Sequence, residues 1–178
     1  MDWDLLVHER NVWVEHNFPD SPSPDGSILG IIEELGELCH AALKAGQGIR
    51  GSKEQHIEDA KDAIGDLTVY LLGVMNFVGK TPSAAVPPLR ISDPCWCLKT
   101  LAHEVGLVAI NPTIYGCERI IHCLKVYCGY WAWDYELIVL NTWAEVKQRD
   151  WIKYPDTGLP PGETLSEAAD TGGLKGIR

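Results

Sequence analysis

A chain of 178 residues with 46% hydrophobic content can fill one core and leaves little for a second domain. Its net charge of -10 argues against a general nucleic-acid or anionic-membrane surface, so a small anionic ligand would need metal ions and a few local cations. No apolar run reaches ~18 residues and the N-terminus, MDWDLLVHER, is acidic; neither a membrane span nor a signal peptide is expected, and the expected location is cytoplasmic.

Residues 2 to about 17 carry Trp3, Leu6, Arg10, Trp13 and Val14 at helical spacing, and Pro19, Pro22 and Pro24 then end the pattern by removing donors and fixing φ. Asp25 or Ser27 is placed to cap a second helix that runs to about Gly46. The glycine-rich stretch 46–51 breaks it. Ser52-Lys53-Glu54-Gln55 is a capping-box pattern opening a third helix that ends near Gly79. Residues 81–94, rich in proline and small side chains, read as a connector. Three further helical patterns follow over about 95–109, 115–131 and 134–151. Strand-like alternation is nowhere sustained, so the predicted fold class is all-α, a helical bundle. Apolar periodicity disappears after Tyr154, which divides the chain into a helical domain over 1–154 and an exposed tail over 155–178.

The chemistry concentrates in the second and third helices. Glu34 and Glu37 fall on one flank of the apolar face formed by Ile31, Leu35, Leu38 and Ala42, with Glu33 just beyond them. Asp59, Asp62 and Asp66 form a stripe at i, i+3 and i+4 spacings on the next helix, which is apolar nearly all round after Asp66 and is expected to be buried. A buried stripe of carboxylates repels itself and loses hydration, so pairing the two helices implies a bound metal. A weak internal echo sets His103-Glu104-Val105-Gly106-Leu107 against Glu33-Glu34-Leu35-Gly36-Glu37, and 118–131 against 65–78. In the second copy Leu107 stands for Glu37 and Arg119 for Asp66, so the acid site belongs to 28–79 and the half over 92–151 supports it. Six cysteines include no CxxC, and those in helical, apolar contexts read as small core residues.

The run Glu33-Glu34-Leu35-Gly36-Glu37, followed by an acidic Gly65-Asp66 stretch and then Leu67-Thr68-Val69-Tyr70-Leu71-Leu72, resembles the MazG-like, all-α nucleoside triphosphate pyrophosphatases, whose pattern is EExxE followed by ExxD on the next helix. The segment WAEVKQRDW over 143–151, with Tyr154-Pro155 after it, is similar to the end of many such proteins. The likeness covers roughly residues 1–80 and 137–158. One position departs from it: Ala63 stands where the family has glutamate, and Asp62, one residue earlier, is placed to replace it.

The resemblance implies an enzyme that uses Mg²⁺, with Mn²⁺ as a substitute, to cleave a nucleoside triphosphate to the monophosphate and pyrophosphate. Mg²⁺ takes near-octahedral oxygen and keeps several waters, so a few carboxylates plus substrate phosphates complete its shell. Glu34, Glu37, Asp62 and Asp66 are the candidate ligands, and Glu33, offset from that line, is the candidate general base. Lys147 and Arg149, with Lys61 or Lys53, are available to meet the pyrophosphate. Trp13, His16 and Asn17 are candidates for a base pocket, and Asn76 for a sugar contact. A homodimer is expected, along with a role in cleaning the nucleotide pool or adjusting a regulatory nucleotide.

Two rivals remain at this stage. Ala63 favours a degraded family member that binds nucleotides without cleaving them. Glu37-Leu38-Cys39-His40 is an ExxH sequence of the carboxylate-bridged di-iron type, but no second copy exists, since Glu118 and His122 are spaced four apart.

Overall fold

A computed structural model describes residues 1–20, 23–82 and 93–163. They form six α-helices, and no strand occurs among the described residues. The helices are α1 (Trp3–Asn17), α2 (Asp25–Gln47), α3 (Lys53–Val78), α4 (Pro94–Ile110), α5 (Ile114–Tyr130) and α6 (Tyr135–Val146).

Their starts follow from side chains that accept the orphan N–H groups of a first turn. Asp2 accepts from Leu5, Ser52 from Gln55, Asp93 from Trp96, Thr113 from Gly116 and Asp134 from Leu137. Helix α2 is the exception. Pro24 occupies its cap position without a side-chain bond, so neither Asp25 nor Ser27 caps it. Asp25 is the first helical residue, where its charge suits the helix dipole, and Ser27 is buried. Helices α2 and α3 end on Gly48 and Gly79, with φ of 64° and 66°, a left-handed conformation that glycine adopts without Cβ strain.

Helix α3 is the axis of the bundle, packed by α1, α2, α5 and α6. Leu67, Leu71, Leu72, Val74 and Met75 on it are completely buried, as its all-round apolar character after Asp66 predicts. Each such side chain contributes ~1.5–3 kcal/mol by leaving water, so α3 organises the core. Helices α4 and α5 form a second hairpin that touches the first through α2 and α3. Its covered positions repeat the first hairpin's. Ser27, Ile31, Glu34 and Leu38 are buried on α2, and Cys97, Leu101, Glu104 and Val108 on α4 at the same spacing. Cys117, Ile120, Leu124, Tyr127 and Cys128 likewise repeat Ile64, Leu67, Leu71, Val74 and Met75. The sequence echo thus extends to which faces are covered.

The last helix is shorter than its periodicity predicts. It ends at Val146 rather than near Trp151, because Gln148 and Arg149 tighten onto carbonyls three residues back and the Asp150 N–H turns away to Gly158 O at 2.7 Å. That bond folds the following segment onto the bundle. Leu159 is only 7% exposed and Gly158 packs on Arg149, so the contact surface continues past Tyr154, where apolar periodicity had ended. The rest of the expected tail, 164–178, and most of the connector, 83–92, lie outside the described residues. Among the described residues no helix is long and apolar enough to cross a membrane.

Candidate functional site

Two glycines allow the helices around the acid cluster to close. A Cβ on Gly30 of α2 would meet the Tyr70 ring of α3, and one on Gly65 would meet Thr142 of α6. Bare backbone at these positions seats Tyr70 beside the acids and draws α6 against α3.

Glu34 is 9% exposed, and Asp66 is partly buried; Glu33, Glu37 and Asp62 stand exposed around them. Burial pushes the Glu34 carboxyl up to about 8, and Asp66, Glu37, Glu33 and Asp62 push in the same direction. Asp66 is raised to about 6, mainly by burial and then by Asp62, with Arg149 opposing. Asp62 is also raised by burial, again against Arg149. The five acids of the two stripes therefore share one electrostatic site, to which α6 adds Glu145. Ala63, by contrast, is 1% exposed and faces the core, so the face presented to Glu34 carries Asp62 and Asp66.

The second hairpin supplies an internal control. Glu104, the counterpart of Glu34, is 6% exposed, and its Oε1 accepts from Arg119 Nε at 3.0 Å and Nη2 at 2.8 Å. Arg119 is the counterpart of Asp66. One half of the molecule thus neutralises its buried glutamate with an arginine, whereas no Lys or Arg among the described residues forms an ion pair with Glu34. A buried carboxylate held next to like charges is several kcal/mol unfavourable unless a proton or a cation neutralises it.

A cleft of about 640 Å³ opens from Asp66 between α1, the start of α2, α3 and the end of α6. Arg149 lines it near the acids, and its buried Nε has no hydrogen-bond partner. Trp13 lines it with its ring while its indole N–H is spent on Arg149 O at 2.9 Å, and Asn76 lies exposed along the wall. Other expected contacts are engaged elsewhere. Lys61 donates to Glu58 at 2.7 Å, lies 5.8 Å from the centre of the Trp133 ring, and faces a second cavity of about 590 Å³ shared with Asp62. Lys147 stands 3.9 Å from Glu9, outside both cavities. Asn17 is buried and consumed by Trp13 O and the Trp151 N–H, and exposed His16 lies 3.6 Å from Asp150.

Sequence reasoning missed Arg10 and Tyr70 as cleft residues, and Glu145 beside Asp66. Arg10 had a visible signal, an arginine within the apolar stripe of α1. Tyr70 had none, since the Gly30 notch that seats it exists only once α2 and α3 are packed.

The donor set suits a hard divalent cation in kind, being all carboxylate oxygen around a self-repelling centre. Among the described residues no three His, Cys, Asp or Glu side chains converge as a ready-made cage. Mg²⁺ does not require one, because it binds through one or two carboxylates and completes its shell with water and phosphate. The cysteines offer no competing site: burial raises Cys117, Cys123 and Cys128 to about 12 and Cys97 to about 11, which keeps these thiols protonated and apolar in behaviour. No protein-family model, no curated protein and no solved structure matches the chain.

Proposed function

We propose that the chain is a MazG-like nucleoside triphosphate pyrophosphohydrolase of the all-α type, dependent on Mg²⁺ and working as a homodimer. The observation that carries this reading is the contrast between the two buried glutamates. Glu104 has its own arginine, while Glu34 is raised to about 8 by burial and then by four neighbouring carboxylates, so it holds a proton that an arriving cation can displace.

In this reading Glu34 and Asp66, with Glu37 and Asp62 at the rim, hold the metal. When bound there, the cation supplies neutralisation of the phosphate oxygens and acidifies water. Exposed Glu33 stands next to this group as the base that takes a proton from the attacking water. Arg149 meets phosphate oxygens beside Asp66, since it lines the cleft and its charge is felt at both Asp62 and Asp66. The cleft beyond Asp66, walled by Trp13, Phe18, Tyr70 and Phe77, takes the nucleoside by stacking and excludes water from the reacting end. Apolar side chains exposed on α2, including Leu29, Ile32 and Leu43, give the dimer a face to bury.

The test is pyrophosphate release from a panel of canonical and modified nucleoside triphosphates with Mg²⁺, with Mn²⁺ and with EDTA. Release of pyrophosphate and monophosphate only with metal is expected. Silence across the panel from folded protein would overturn catalysis and favour a nucleotide-binding module. The core-facing Ala63 is the specific observation behind that second reading.

A further inference from the structure

Arg10 is a cation whose placement the acid site does not explain. It crosses from α1 over Gly73 of α3, where a Cβ would stand 2.6 Å from its Nη2, and Nη2 donates to Ser27 Oγ at 3.0 Å. Among the described residues that is the one hydrogen bond it donates, and its buried Nε has no partner there. Among the described residues no carboxylate lies within ion-pair distance of it. Burial lowers its pKa to about 10, against an opposing contribution from Tyr70. A guanidinium taken this far from water and left without a carboxylate is costly, and an arginine that served only as packing would be replaceable by an apolar side chain.

Its position along the cleft indicates what it meets. Asp66 and Arg149 mark the phosphate end. Gly73, beneath Arg10, lies two turns further along α3, or about 10 Å of helix axis. That separation suits the far edge of a nucleoside whose phosphate is held at Asp66. Tyr70 lies between Asp66 and Gly73 on α3, and Trp13, Phe18 and Phe77 line the same cleft, where a base can stack. At that far edge a guanidinium can only donate, so the base must bring an acceptor to it, and among base acceptors a carbonyl oxygen, with two in-plane lone pairs, can take two N–H groups of the fork where a ring nitrogen takes one.

We propose that Arg10 is a specificity-determining residue that binds a carbonyl oxygen of the base, so that the cleft takes nucleotides of guanine, cytosine, uracil or thymine ahead of adenine. Adenine has no carbonyl: its amino group sets donor against donor, and each ring nitrogen accepts a single N–H, so it matches the fork less well. This rests on the nucleotide-cleaving reading of the acid site and adds the substrate class to it.

The experiment is equilibrium binding of GMP, CMP, UMP and AMP to the full chain in Mg²⁺ by calorimetry, for the wild type, Arg10→Met and Arg10→Lys. The expected wild-type result is about tenfold or tighter binding of the carbonyl-bearing nucleotides over AMP. Arg10→Met should abolish that ratio while AMP binding holds within about twofold, and Arg10→Lys should reduce it, since a point charge lacks the fork. Equal loss for all four nucleotides in Arg10→Met would overturn the proposal, because it would assign Arg10 to phosphate or to the fold. A wild-type ratio below about twofold would overturn it without any variant, so it survives no outcome in which the variants merely unfold. Pyrophosphate release that persists without a base preference would remove this inference alone. Absence of both binding and release would remove the function with it.

Discussion

Replacing Arg119 with methionine would recreate in the second hairpin the condition that the first hairpin has by nature. Glu104 is 6% exposed, and Arg119, about one-fifth exposed, places two N–H donors on one of its oxygens at 3.0 and 2.8 Å. Removing the guanidinium leaves a buried carboxylate with neither charge partner nor donors, at a cost of ~3–5 kcal/mol, whereas methionine keeps the apolar stem's contacts. Glu104→Gln alone strands the more accessible partner and should cost less, ~1–3 kcal/mol. The double variant leaves no buried charge and should return to within ~2 kcal/mol of the wild type, a coupling of at least ~2 kcal/mol between the two sites. Urea unfolding followed by tryptophan fluorescence, at constant m-value, reads all four corners of the cycle. If Arg119→Met costs less than ~1 kcal/mol, or the two changes simply add, then a buried glutamate at this position tolerates isolation. The argument that Glu34 needs a proton or an external cation would fall with it.

Three further outcomes follow from the site. If Asp62 has taken the ligand role that Ala63 vacates, Asp62→Asn and Asp66→Asn should each cut Mg²⁺-dependent pyrophosphate release by about 100-fold or more; turnover that survives Asp62→Asn largely intact would rule that role out. In EDTA the folded chain keeps a proton on Glu34 between its ordinary 4.5 and about 8, a proton that the unfolded chain releases, so the Glu34 contribution to stability is full below pH 4.5 and is lost as pH rises to 8. Glu34→Gln should flatten the slope between about pH 6 and 8, leaving the part at lower pH that Asp66 contributes, and should stand ~1–3 kcal/mol above the wild type at pH 7, while Mg²⁺ stabilises the wild type more; parallel pH curves for the two proteins would refute the assignment. Gly65→Ala drives a methyl into Thr142 and should cost ~1–3 kcal/mol of stability, largely recovered by adding Thr142→Ala, and a failure of the second change to recover it would refute the close α3–α6 contact.

The helices were legible because their ends carry their own signals. Ser52, Thr113 and Asp134 cap, Gly48 and Gly79 stop, and the apolar run after Asp66 announces a buried α3. What the sequence hid was set by tertiary hydrogen bonds. The periodicity of 134–151 runs on past Val146, yet the Asp150 N–H prefers Gly158 O, a choice that no local pattern records. The acid stripes were equally readable, since i, i+3 and i+4 spacing fixes a helix face. The cations were not, because a lysine's reach exceeds the helix register. Lys61 and Lys147 turn to Glu58 and Glu9, while Arg149 turns inward. Arg10 was visible only as an interruption of an apolar stripe, and its role depends on a notch at Gly73 that packing creates.

Four hydrogen bonds among the described residues tie the first helix region to the last: the Met1 amino group to Glu136, Trp13 to Arg149 O, Trp143 to Glu9, and the Trp151 N–H to Asn17, each spanning more than 130 residues of sequence. A ribosome releases α1 and the whole acid hairpin long before it releases the segment that fastens them. During synthesis the carboxylates are therefore assembled while Arg149 is still missing and the cleft lacks a wall. On the proposed reading, the nascent chain would meet metal before it could hold a nucleotide, and competence for the second would arrive only with the segment after α6.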